Sequence, residues 1–130
     1  HPRPREKGTR QDRALVKTAF LTAKHLKEDL EHPAQDSRSY FLTVTRYDGK
    51  LATETTGHFG DGSGLPGLTK TLRWEWPHTF CRAIDLDPAL EVGEQARAIL
   101  KEMEDANQGL TEVGISPAGR VTLRQKATQR

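Results

Sequence analysis

The sequence holds a single cysteine, Cys81, so no disulfide can form within the chain. Cys81 falls in a β-branched and aromatic stretch, the setting of a small buried hydrophobe rather than a reactive thiol. Nowhere does an apolar run reach the length of a membrane span, and no signal peptide is visible. The cytosol is therefore the expected compartment. No charge of one sign prevails either, the formal net charge being +2. Even that excess is unevenly placed. Residues 1–13 carry five Lys/Arg against two Asp/Glu, residues 120–130 four bases and no acid, and the 106 residues between them balance at −5. A nucleic-acid binder concentrates its positive charge on a folded face. Here the basicity lies toward the ends, so a nucleic-acid partner is not expected, and neither is a membrane.

Catalytic spacings are also scarce. There is no G-x-S-x-G, and His1, His25, His32, His58 and His78 show no metal-ligand spacing among themselves or with Cys81. A hydrophobic fraction of 34% is low for a compact domain and suits a core of modest size with unpacked ends. Residues 1–11 read as a flexible basic arm, 12–124 as the folded unit and 125–130 as a linker. The start at His1 is what a piece of a longer polypeptide would show.

What is present is organised around residues 39–87. Ser39-Tyr-Phe-Leu-Thr-Val-Thr-Arg46 is dense in aromatic and β-branched residues and reads as a strand, apolar on both faces and so covered on both. A glycine-rich loop runs from Tyr47 to Gly64, with a short edge segment expected over 51–56. A helix follows over 65–76, with Ser63 as its cap. Its face of Leu65, Leu68, Leu72 and Trp76 points inward, Trp74 is set against a neighbouring element, and Pro77 stops it. Thr79-Phe-Cys-Arg-Ala-Ile-Asp-Leu86 is a second strand, with Phe80, Ile84 and Leu86 on one side. Strand, helix and strand make a β-α-β unit.

Before that unit, Leu15, Val16, Ala19, Phe20, Ala23, Leu26 and Leu30 recur at helical spacing, with Asp12 as cap and His32-Pro33 as stop. After it, Val92, Ala96, Ile99, Leu100 and Met103 form the stripe of a helix over about 91–106. Two strands, 110–116 and 120–124, are joined by Pro117-Ala-Gly119 in a hairpin. The expected fold class is α/β, in the order α-β-α-β-α-β-β. It is a truncated Rossmann-like layer sandwich with a mostly parallel sheet and a C-terminal hairpin.

One motif invites a nucleotide. Gly62-Ser-Gly64-Leu-Pro-Gly67 fits G-x-G-x-x-G at the start of a helix, and Asp85 ends the following strand, where an acid could hold a ribose. That makes Gly62, Gly64, Gly67 and Asp85 an alternative cofactor site in an independent nucleotide-binding oxidoreductase. The geometry argues against it. The fingerprint needs its first glycine at the end of the strand, and about fifteen residues separate Arg46 from Gly62. Asp85 and Asp87 read rather as caps of the next helix. A third reading is a small interaction or nucleic-acid module that uses the basic tails.

Tyr40-Phe-Leu-Thr-Val-Thr-Arg46, Gly67-Leu-Thr-Lys-Thr-Leu-Arg-Trp-Glu-Trp-Pro77 and Phe80-Cys-Arg-Ala-Ile-Asp-Leu-Asp87 stand in an order and spacing similar to the structural subdomain of ketoreductases from modular polyketide and polyunsaturated fatty acid synthases. The helix around Val16 to Leu26 and the ending Val121-Thr-Leu-Arg124 fit the same pattern, which covers about Arg13 to Arg124. The resemblance implies a degenerate half that braces a catalytic half of the same polypeptide. That partner would bind NADPH and reduce a β-ketoacyl chain carried on the phosphopantetheine of a carrier domain. The parent would combine acyltransferase with ketoreductase activity.

By the same resemblance the tyrosine acid of the active half would sit early in helix 65–76, which has no tyrosine. The serine would sit at the end of the first strand, where Thr45-Arg46 stand. No Tyr-x-x-x-Lys occurs in the chain. No catalytic residue and no bound cofactor are therefore expected here. The leading strands of the intact fold are missing as well, so the edge of strand 39–46 is open to a homodimer contact.

Overall fold

The computed structural model describes residues 4–35, 37–51 and 64–122. Three helices and four strands follow in the order α1 (Pro4–Glu31), β1 (Ser39–Thr45), α2 (Leu65–Glu75), β2 (Thr79–Leu86), α3 (Val92–Met103), β3 (Glu112–Ser116) and β4 (Gly119–Thr122). The fold is α/β. Its four-stranded sheet has the order β1-β2-β3-β4, parallel through β3 and antiparallel at the β3–β4 hairpin. The hairpin closes through Pro117 and Ala118, and Gly119 takes a φ of +131° that a side chain would resist.

Two expectations about α1 need correction. Its apolar repeat begins at Leu15, but the helix starts at Pro4, so residues 4–11 lie in its first turns rather than in an arm. Nor is its stripe fully used. Ala23 is buried, while Leu15, Phe20 and Leu26 remain 40–45% exposed.

The register fixes two faces. Phe41, Thr43, Cys81 and Ala83 look toward α1 and α2, where Ala23, Leu72, Trp76 and Cys81 form one core, with Phe41, Leu30 and Leu68 against it. Ile84, Leu86 and Val113 look the other way and form a second core with Leu90, flanked by Leu42, Ala98 and Ile99. All eight residues of β2 are buried, as expected of a central strand covered on both faces. The open ends of α1, β1 and β2 are stitched by polar groups: the Leu30 carbonyl accepts from Ser39 Oγ, and Thr79 Oγ1 lies within hydrogen-bond reach of Leu30 O and Glu31 Oε2.

The crossovers themselves are unusual. Both step the sheet in one direction, β1 to β2 to β3, yet α2 packs on one face and α3 on the other. Two crossovers of the same hand would place both helices on one face. The chain therefore contains one of each hand, against a strong general preference for the right-handed form.

The α3 stripe is rotated from expectation. Val92 and Leu100 are exposed, Ala96 is exposed too, and the inward positions belong to Ala98, Ile99 and Glu102. The cause lies in β2. Arg82 occurs at an inward-facing position and is fully buried, so the helix above it must present carboxylates. Trp74, expected against a neighbouring element, is 77% exposed on the outer side of α2.

Candidate functional site

In an open α/β sheet, ligands bind in the crevice at the carboxyl ends of the strands. Here that end is closed around Asp85, which is buried although it carries a carboxylate in the central strand. Its Oδ1 accepts from the backbone N–H of Tyr47 at 2.8 Å and from Thr45 Oγ1 at 3.0 Å. Its Oδ2 accepts from the N–H groups of Gly49 at 3.1 Å and Leu51 at 3.0 Å. With the Asp48 N–H also donating to Oδ2 at 3.4 Å, one side chain collects four backbone amides, those of residues 47, 48, 49 and 51, and folds residues 47–51 over the ends of β2 and β3. A carboxylate held by several N–H donors is well satisfied inside a protein.

The roof is pinned from above as well as from below. Gly49 has a φ of +71°, and a Cβ built on it would overlap the Ile115 carbonyl. A Cβ on Gly114 would in turn overlap the Gly49 carbonyl. The exit turn of β1 and the backbone of β3 therefore approach more closely than any side chain permits. Leu51 is drawn into the left-handed region, φ +62°, in the same turn that brings its N–H to Asp85.

This arrangement assigns the sequence candidates. Asp85 is spent on the turn after β1, neither held out for a ribose nor capping α3. Asp87 shapes the turn before α3 by accepting from the Ala89 N–H at 2.8 Å, while the capping box of α3 is made by Glu91 and Glu94. Gly64 is the N-cap of α2 and is packed against the Val16 side chain, so its missing Cβ makes room for α1. Gly67 is exposed in the first turn of α2 with open space around it. Gly62, Ser63, His58 and segment 52–56 lie outside the described residues, as do residues 1–3 and 123–130.

The first strand and the helix after it share a hydroxyl pair. Thr43 Oγ1 on β1 and Thr69 Oγ1 on α2 are 2.7 Å apart, and both residues are buried. Thr69 also donates to the Leu65 carbonyl at 2.8 Å. Its one hydroxyl proton is thereby used, so Thr43 is the donor between them. The chain Thr43 to Thr69 to Leu65 is complete and holds the strand to the helix. It contains no group that titrates near neutrality.

The densest charge lies on the opposite face. Arg82 donates to Glu102 Oε1 and Asp105 Oδ2, both at 2.7 Å, and to the carbonyls of Leu110 and Asn107. Arg120 on β4 reaches Glu102 Oε2 at 2.7 Å and Asp105 at 3.3 Å. Two guanidinium groups and two carboxylates thus tie β2, α3 and the hairpin together. The Asn107 backbone N–H, followed by the Arg82 side chain, holds the Asp105 carboxyl below its ordinary range. Beside this cluster, α3 stands off the hairpin and leaves a cleft of about 710 Å³ over Leu90, Ala98 and Ile115. Every buried side-chain nitrogen and oxygen among the described residues has a hydrogen-bond partner.

Cys81 is buried, and loss of hydration pushes its thiol up to about 12, with Arg73 opposing and Glu31 adding to the shift. A thiol so raised is not a nucleophile at neutral pH. Among the described residues no group of three or more His, Cys, Asp or Glu could hold a metal, and no helix is long and apolar enough to cross a membrane.

Arg82 and its two acids are what the sequence reading missed. The signal was an arginine in the middle of a strand covered on both faces, followed by Glu102 and Asp105 at 20 and 23 residues' distance. No family model, no curated protein and no solved structure matches this chain.

Proposed function

We propose that the chain is the non-catalytic structural half of an NADPH-dependent ketoreductase within a cytosolic polyketide or fatty acid synthase. The observation that carries this reading is the closed carboxyl end of the sheet. Where a working α/β reductase opens a crevice for its nucleotide, residues 47–51 are folded onto Asp85 and wedged against Ile115. The helix that would present a tyrosine acid turns Leu65, Thr69 and Leu72 to the core instead. The hydroxyl pair between Thr43 and Thr69 is sealed and satisfied. Both support a brace rather than a catalyst, in line with the sequence resemblance.

In this role the chain's partner is the catalytic half, which binds NADPH. The substrate is a β-ketoacyl group on a carrier's phosphopantetheine arm, and it never meets this chain's core. The test is to mix the purified chain with separately produced catalytic halves of modular-synthase ketoreductases. The expected result is a stable complex with a catalytic half, a raised Tm for that half and faster reduction of a β-ketoacyl thioester. No association with any catalytic half, or β-ketoacyl reduction by the chain alone, overturns the reading.

A further inference from the structure

We propose that two copies of this chain associate through the outer edge of β1, their β1 strands and α1 helices running antiparallel about a two-fold axis normal to the sheet. The inference goes beyond the ketoreductase reading and does not rest on it. Among the described residues β1 is a terminal strand of the sheet, and β2 is its one hydrogen-bonded neighbour. Its seven residues, Ser39–Thr45, include no charge and no proline, the devices by which edge strands are usually kept from pairing.

The helix that covers this edge is itself half covered. α2 packs across both β1 and β2, whereas α1 packs on β1 and on α2, which sets it at the outer side of the face. Phe20 flanks buried Ala23 on one side of the helix, and Leu15 and Leu26 flank it on the other; all three are 40–45% exposed. On the opposite face of the same edge, Val44 is 39% exposed. Among the described residues, apolar surface thus lies above and below an open strand edge.

Charge selects the occupant and its direction. From Arg13 to Lys27, α1 carries four bases, Arg13, Lys17, Lys24 and Lys27, and no acid. Its last turn carries three acids, Glu28, Asp29 and Glu31, and no base; Glu31 accepts from Thr79 Oγ1 at 2.6 Å and from the His78 N–H at 3.1 Å, while Glu28 and Asp29 are exposed. Acids at a helix C-terminus oppose the helix dipole and want a cation supplied from outside the helix. A second copy lying antiparallel brings its basic stretch to that acidic turn, twice by symmetry. Antiparallel β1 pairing about an axis normal to the sheet puts both α1 helices on one face, side by side. Parallel pairing would send them to opposite faces and leave the charges unmatched.

The test is sedimentation equilibrium of the whole chain over a wide concentration range. A dimer that dissociates on dilution is expected, with a Kd that rises with salt because the matched charges lie at the surface. The double substitution Phe20→Lys with Leu26→Lys is expected to raise Kd at least tenfold. Leu21→Lys, some 200° around the helix from Ala23, is expected to leave Kd unchanged, with circular dichroism confirming that each variant is folded. β1 amides exchange slowly in the dimer and faster in the double variant. A monomer at every concentration overturns the proposal, as does a dimer indifferent to the α1 pair but broken by Val121→Lys on β4. A salt-independent Kd removes the antiparallel match. A chain that stays monomeric and protects its β1 amides only on mixing with a ketoreductase catalytic half assigns the edge to that partner instead.

Discussion

Three buried side chains of β2 show how far chemistry and position can part. Cys81, Arg82 and Asp85 are each within 2% of full burial, and each is reactive in other settings, yet here each has a packing task. With its thiol pushed up to about 12, Cys81 is expected to ignore a disulfide reagent at pH 8 and to react only at the rate of unfolding. Rapid labelling of the native protein would contradict that. For Arg82, removing the partner is the severe change. Glu102→Ala leaves a guanidinium inside the protein with Asp105 as its one remaining acid, and is expected to cost about 3–5 kcal/mol in denaturant unfolding. Asp105 adds a pH dependence. Its carboxyl is lowered in the folded state, so its contribution is complete above the ordinary carboxylate range and is lost as pH falls through the folded value. Asp105→Asn is expected to flatten the acid limb of the stability curve.

At the scale of the element, the sequence reading succeeded where an element's own residues decide its structure and failed where a neighbour decides. The run Thr79 to Leu86, set between Pro77 and Asp87-Pro88, located β2 to the residue. The Pro117-Ala-Gly119 turn located the hairpin. The period of α3 showed a helix but not its phase, because Leu100 loses its inward place to Glu102 through an arginine twenty residues earlier. Asp85 stood out as an acid ending a buried strand, but its task was hidden, since backbone amides leave no mark on a side-chain pattern. The turn over residues 47–51 gives a direct check. Gly49→Ala forces a Cβ into the Ile115 carbonyl at a positive φ, and is expected to destabilise by more than about 1 kcal/mol. Asp85→Asn is expected to speed amide exchange at Tyr47, Gly49 and Leu51 ahead of global unfolding, whereas uniform protection there would deny Asp85 its role.

For the molecule as a whole, opposite-handed crossovers and a closed carboxyl end belong together. Arg82 holds α3 on the face away from α2, which leaves the ends of β2 and β3 free to be covered by the turn after β1. Among the described residues the result is a sheet covered by helices on both faces, with residues 47–51 folded over the carboxyl ends of β2 and β3. The proposed supporting role predicts that the chain takes no dinucleotide. The direct measurement is a fluorescence titration of NADPH into the purified 130-residue chain. The account predicts no saturable change at any concentration up to the solubility of either component. Saturable binding that is abolished by Asp85→Asn or by Gly67→Val would mean that the sheet's carboxyl end opens to a nucleotide after all.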